Sequence, residues 1–244
     1  MARVLLIQPW KYRDEGVRHH DLGHEWRNGP YSLILLGTQL KAKGQQVRVM
    51  DLERALVAKR GSVCACLNGL VRMIEKFAPD VIGLGFFSVH YCEAKRIAET
   101  VRQTCRRMGL KPLFVAGGIH ATTEPHVTLK DLDCDCVFIG EAEAGIVRLA
   151  AGEDPHHVPG VLFPGASEGS RGEEIRPLDS LPFPDWSLSD YRFYAHRSTG
   201  KLGFKKSGSL DMMMGRGCAY KCNFCAYPAM SSVRFCQAGS DECG

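Results

Sequence analysis

Apolar residues fall along the first 150 positions in two alternating rhythms. Arg3–Gln8 is apolar at nearly every position, and Val81–Phe87, Leu113–Ala116 and Cys136–Ile139 repeat that short run. Val47–Leu52 is a fifth, more polar candidate. Between these runs the apolar residues recur at three- and four-residue intervals. One set is Leu33, Leu36, Gly37 and Leu40, and a second is Leu67, Leu70, Val71, Ile74 and Phe77. A third is Ala94, Ile97, Ala98, Val101, Cys105 and Met108. That spacing puts each set on one face of a helix. A near-continuous apolar strand is one buried on both faces of its sheet. The pattern predicts an α/β domain over residues 1–150, with a flavodoxin-like, doubly wound parallel sheet of five strands and right-handed crossovers.

The rhythm changes after Ala150. Residues 151–207 are rich in Gly, Pro, Ser and charge, with one strand candidate at Val161–Phe163. The run Leu181-Pro182-Phe183-Pro184-Asp185-Trp186 is excluded from helix and central strand, because its prolines fix φ and remove donors. It reads as an ordered linker whose Phe183, Trp186, Tyr191, Phe193 and Tyr194 pack between two domains. A second unit spans residues 208–244. It opens on an apolar strand, Leu210–Met214, whose three methionines read as core filler. Gly215-Arg216-Gly217 then turns the chain. The tail from Val233 to Gly244 has no clear pattern.

Composition narrows the function classes. A hydrophobic share of 45% with 24% charged residues is that of an ordinary globular chain. The net charge of +4 is small and dispersed, which argues against a nucleic-acid partner. Val4–Ile7 is too brief for a signal-peptide core or a membrane span. Eleven cysteines, an odd number with no regular framework, point to reduced thiols and a cytoplasmic setting. Cys64, Cys66, Cys92, Cys105, Cys134 and Cys136 read as small buried apolar residues.

In a doubly wound sheet, ligands bind beyond the carboxyl ends of the strands. Those ends carry Pro9-Trp10, Ser88-Val89-His90, Gly117-Gly118-Ile119-His120 and Gly140-Glu141-Ala142-Glu143. Paired glycines let a backbone approach a bulky ligand, or simply supply a tight turn at positive φ. Gly83-Leu84-Gly85 is no dinucleotide loop, because it lies inside a strand and lacks the third glycine.

The densest chemistry is Cys218-Ala-Tyr-Lys-Cys222-Asn-Phe-Cys225. Three thiolates at this spacing suit three corners of a [4Fe-4S] cluster and leave the fourth iron open to a chelating small molecule. The same three with Cys236 also suit a structural four-cysteine zinc site, although zinc ligands more often come as separated CxxC pairs.

Over Leu210 to about Pro228, the spacing, the aromatic before the last cysteine and the preceding strand resemble the cluster loop of radical S-adenosylmethionine enzymes. The strand ends of residues 1–150, above all Ala-Gly-Gly-Ile-His and Gly-Glu-Ala-Glu, resemble the cobalamin-binding domain that precedes the barrel in cobalamin-dependent members. The resemblance implies three cofactors: cobalamin, a [4Fe-4S] cluster on Cys218, Cys222 and Cys225, and S-adenosylmethionine. It places Gly117, Gly118, His120, Gly140 and Glu141 along the slot for the nucleotide tail. Ser88 and Val89 would lie near the corrin, with Trp10 shielding its lower face. Radical-based methyl transfer or related C–H chemistry on an unidentified substrate is the implied reaction, ring formation and rearrangement being the alternatives, with an electron donor such as flavodoxin or ferredoxin. The competing readings are a cobalamin carrier or sensor, or a radical enzyme whose first domain holds no cobalamin.

Two departures qualify the resemblance. The Asp-x-His-x-x-Gly motif that supplies an imidazole to cobalt in many cobalamin domains is missing. Asp154-Pro155-His156 begins it, but Pro159 stands where glycine is needed. His19, His20 and His24 are left as alternative imidazoles. Only 19 residues follow Cys225, whereas a complete (β/α) barrel needs ~200 or more. The chain is therefore expected to hold only the opening of that barrel and, by itself, not to turn over.

Overall fold

The computed structural model describes residues 1–10, 29–195, 210, 212–220, 222–227 and 235–237. The first strand, β1 (Arg3–Gln8), forms where the continuous apolar run predicts it. It is followed by α1 (Tyr31–Ala42), β2 (Gln46–Asp51), α2 (Leu52–Ala58), α3 (Val63–Phe77) and β3 (Val81–Gly85). Then come α4 (Tyr91–Met108), β4 (Leu113–Gly117), α5 (Ile119–Thr123), α6 (Pro125–Leu132), β5 (Cys136–Phe138) and α7 (Glu143–Ala150). The sheet order is β2-β1-β3-β4-β5, all parallel, extended by β6 (Val161–Leu162) antiparallel to β5. The chain leaves β1 toward β2 and returns to the other side at β3. That reversal puts a switch point between β1 and β3.

The alternation of side chains along each strand builds two cores from one sheet. Leu5, Ile7, Ile82, Leu84, Phe114 and Ala116 face α2, α3, α4 and α6 through Leu56, Leu70, Ile74, Ile97, Val101 and Leu129. Val4, Leu6, Val81, Val115 and Phe138 face α1 and α7 through Leu33, Leu40, Ile146 and Leu149. Cys134 and Cys136 belong to these cores, and burial pushes both thiols up to about 12, so they act as small apolar residues. Cys66 and Cys105 are buried as expected. Cys64 and Cys92 are exposed instead, because they sit on the outer faces of α3 and α4.

The segment after β6 docks against α1 and β2. Tyr194 is buried and its hydroxyl donates to the Asp51 carboxylate, which also caps α2 by accepting from the Arg54 amide at 2.9 Å. Asp185 donates its amide to Thr38 Oγ1 at 2.8 Å and pairs with Lys41, and Arg54 pairs with Asp190 at 2.8 Å. Trp186 packs on the Tyr31 ring with centroids 6.2 Å apart. Phe183 departs from the expected packing and is 83% exposed, since Pro182 and Pro184 hold it outside the turn that Asp185 closes.

The strand expected at Leu210–Met214 lies one step later, at β7 (Gly215–Gly217). It pairs antiparallel with β8 (Phe235–Gln237), an element absent from the sequence pattern. Among the described residues the ladder reaches back to Gly215, and Met212, Met213 and Met214 are exposed rather than core. Among the described residues, no helix is long and apolar enough to cross a membrane.

Phe114, fully buried beneath α4, tests the larger core. Phe114→Ala is expected to lower the urea unfolding free energy by ~3–5 kcal/mol. Met213→Ala should change it by no more than ~0.5 kcal/mol. Equal effects of the two would refute this assignment of inside and outside.

Candidate cofactor-binding edge

The carboxyl ends of β1, β3, β4 and β5 meet along one edge. Gly85 and Gly117 are register partners on β3 and β4, so the loops after these strands start side by side. Gly118 opens α5 with φ 96° and ψ −173°, a conformation essentially restricted to glycine. A Cβ there would stand 2.6 Å from the Phe86 carbonyl oxygen. Gly117 differs. Its φ is ordinary, and an added Cβ would meet only Phe138 Cβ at 3.9 Å. The two readings of the glycine pair therefore separate: Gly118 makes the turn, and Gly117 leaves room at the surface.

Ser88 begins a short 3-10 turn, Ser88–His90, between β3 and α4. Its hydroxyl lies 2.9 Å from His120 Nδ1, which ties the β3 loop to the β4 loop. The His120 ring sits between Phe86 and Tyr91, with centroids 5.3 and 4.7 Å away. Burial holds its pKa below the ordinary imidazole value, against a weaker pull from Glu124, so the ring is neutral near pH 7. His120 Nε2 is buried with no hydrogen-bond partner among the described residues. The same holds for the indole Nε1 of Trp10, which is fully buried in the larger core. Trp10 thus sits beneath this edge rather than on it. Phe87 and Val89 flank Ser88 and are 50% and 75% exposed, two large apolar side chains facing water on one turn.

Gly140 leaves β5 at φ 82°, and its amide donates to Thr122 Oγ1 at 3.0 Å, linking the β5 loop to α5. Glu141 does not face the open edge. Its carboxylate takes Arg216 Nη1 at 2.8 Å and the Ile175 amide at 3.4 Å, and Gly172 packs directly on its backbone. Glu143 takes the other Arg216 nitrogen, Nη2. Desolvation raises the Glu141 pKa, and Arg216 opposes that shift.

Arg216 immediately precedes the three-cysteine loop. Gly217, at φ 96°, donates its amide to the Tyr227 hydroxyl at 2.6 Å and so joins the two ends of that loop. Cys218, Cys222 and Cys225 are all exposed free thiols, and the Tyr227 amide donates to Cys225 Sγ at 3.4 Å. As a donor set, three accessible sulfurs with an N–H directed at one of them suit an iron–sulfur cluster. The arrangement itself is open: among the described residues, no three Cys, His, Asp or Glu side chains are grouped as a metal site. His19, His20 and His24 lie outside the described residues. His156 stacks on Phe163 at 4.0 Å, beyond β5 and away from this edge.

Residues 29–150, half of the chain, match the B12 binding domain family. The chain belongs to that family. Its parallel strands run in the flavodoxin-like order 2-1-3-4-5, with one antiparallel strand added. It is 29% identical over 176 residues to an uncharacterized methyltransferase of Pyrococcus horikoshii, a match covering 69% of this chain and 35% of that one. It is 23% identical over 190 residues to the cytidylyl-2-hydroxyethylphosphonate methyltransferase of Streptomyces wedmorensis, covering 65% and 34%. The chain thus spans about a third of the length of these curated relatives. Among solved structures, the radical S-adenosylmethionine methyltransferase TsrM of Kitasatospora setae, with cobalamin and a [4Fe-4S] cluster bound, superposes with a TM-score of 0.63. That match has 20% identity over 98% of this chain and 44% of TsrM. The cobalamin-dependent S-adenosylmethionine radical enzyme OxsB gives a TM-score of 0.67 at 16% identity, over 92% and 28%. These similarities establish the fold.

Sequence reasoning missed Arg216 as a functional candidate. Its signal, a lone arginine between glycines before a cysteine motif, is visible, but its carboxylate partners lie 73 and more residues away.

The two glycines are expected to respond differently. Gly118→Ala should lower the urea unfolding free energy by ~1–3 kcal/mol or more, because it forces a side chain into strained backbone. Gly117→Ala should stay within ~1 kcal/mol of wild type. Equal losses would show that both glycines serve the turn.

Proposed function

We propose that this chain binds cobalamin at the edge formed by the loops after β3 and β4. We further propose that it assembles a [4Fe-4S] cluster on Cys218, Cys222 and Cys225, whose open iron takes S-adenosylmethionine for radical-based methyl transfer. The observation that carries the reading is that one chain joins a B12 binding domain to a three-thiol loop and ties the two through Arg216. When bound, cobalamin supplies methyl transfer and the cluster supplies single electrons.

The residues present have defined tasks in this scheme. Gly117 admits a bulky ligand against the backbone, where any larger residue would crowd it. Phe87 and Val89 offer an apolar cover and exclude water from the bound macrocycle. Neutral His120, held by Ser88 and two rings, offers a hydrogen-bonding nitrogen without adding charge. Cys218, Cys222 and Cys225 would hold three irons of such a cluster and leave the fourth for a chelating small molecule. Because those thiols stand apart, assembly has to draw the loop together, so ordering of the segment is coupled to metal uptake. The matched relatives named as methyltransferases support this class of reaction.

Anaerobic reconstitution with iron, sulfide and hydroxocobalamin tests both halves. The expected product carries about four irons per chain with a broad charge-transfer shoulder, together with stoichiometric cobalamin. Cys218→Ala, Cys222→Ala or Cys225→Ala should abolish the iron and spare the cobalamin, whereas Cys64→Ala should leave both. Stoichiometric zinc in place of iron would overturn the cluster assignment, and absence of cobalt would overturn the first half.

A further inference from the structure

The Arg216 side chain is only 10% exposed, and the carboxylates that receive it, Glu141 and Glu143, are nearly as deeply buried. A guanidinium taken out of water is costly unless its donors are met, and here the two terminal nitrogens reach two different acids. Nη1 lies 2.8 Å from Glu141 Oε2, and Nη2 pairs with Glu143 Oε1. Glu141 on the β5 loop and Glu143 at the start of α7 stand two residues apart, so their like charges repel until an arginine sits between them. A planar fork with one prong in each carboxylate fixes direction as well as distance, which a lysine would not do.

Both ends of this fork lie next to the proposed cofactor groups. On one side, Gly217 alone separates Arg216 from Cys218. On the other, Glu141 follows Gly140, whose amide is held by Thr122 of α5, the helix that Gly118 begins. A continuous line of contacts therefore runs from the Gly117–Gly118 edge through α5 and the β5 loop to the first cysteine. A second, weaker tether joins the Met213 amide to the Tyr31 hydroxyl at 3.2 Å.

We infer that Arg216 is a positioning residue: its seat between Glu141 and Glu143 sets where the three-cysteine loop stands relative to the cobalamin-binding edge. The inference rests on the function proposed above and gives the Gly-Glu-Ala-Glu segment the role of a dock rather than a ligand contact. Arg216 is spent on Glu141 and Glu143 and acts through the backbone it anchors.

Hydrogen exchange on the cofactor-free full chain reads the dock by itself. Arg216→Gln is expected to speed amide exchange at least ~10-fold in the peptides covering residues 139–146 and 212–218, as loss of a buried ion pair requires. Glu141→Gln with Glu143→Gln should do the same, and the triple variant should be no faster than Arg216→Gln alone. Reconstituted protein then gives a signature that a merely structural residue would not move. Arg216→Gln should keep wild-type iron and cobalamin content yet alter the magnetic interaction between cob(II)alamin and the reduced cluster. Unchanged exchange at 139–146, additive effects in the triple variant, or an unaltered magnetic interaction at full loading would each overturn the inference. So would loss of iron or cobalamin in Arg216→Gln, which would make Arg216 part of a cofactor site. A wild-type chain that takes up no iron would sink the proposed function instead, and the exchange data would still decide whether the dock exists.

Discussion

Burial of the central strands on both faces is the constraint from which the rest of the molecule follows. Val4 and Leu6 on one side of β1, and Leu5 and Ile7 on the other, are all shielded from water. A sheet so covered has no free face for a polar ligand, so binding is confined to its ends. Because β1 to β5 are parallel, all five carboxyl ends and their loops gather at one end. The functional edge is therefore a consequence of helix packing rather than of the loops that decorate it. Gly118 shows how tight the arrangement is: its Cβ would collide with the Phe86 backbone, so adjacent loops are held at glycine distance. Gly117, one residue earlier, is the point at which that crowding ends.

Desolvation gives the same edge its electrical character. His120 loses its charge to burial, and Glu141 gains a raised pKa for the same reason. Arg216 keeps its charge there, because two carboxylates compensate its burial. The edge thus divides into a half around Ser88, His120 and Gly117, where we propose the cofactor binds, and an ionic half around Glu141 and Glu143, occupied from within the chain. The division explains why Gly-Glu-Ala-Glu sits beside this edge without opening onto it.

What the sequence revealed followed from physical signal strength. β1 and β3 are legible because a doubly buried strand has no polar positions to obscure it. α3 is legible because Val63–Phe77 carries its apolar residues on one stripe. The short helix α2 escaped because Leu52 belongs to the apolar run of β2 and only Asp51, as its cap, marks the change. α5 and α6 are brief and joined at Glu124–Pro125, too short for a helical period to register. The three cysteines stood out by spacing, but the strand expected at Leu210–Met214 is shifted to Gly215–Gly217, where the described part of β8 supplies its partner. The Arg216 seat was invisible for the opposite reason: it is a tertiary pairing between segments that carry no local sign of each other.

The central claim is that the opening at Gly117 receives cobalamin. Titration of hydroxocobalamin into wild type and Gly117→Val, with matched urea midpoints establishing that both are folded, tests it most directly. A valine there places branched carbons where the ligand must approach, so affinity is expected to fall by at least ~10-fold, about 1.4 kcal/mol. Equal affinity in the two folded proteins would move the cofactor away from this edge and contradict the account.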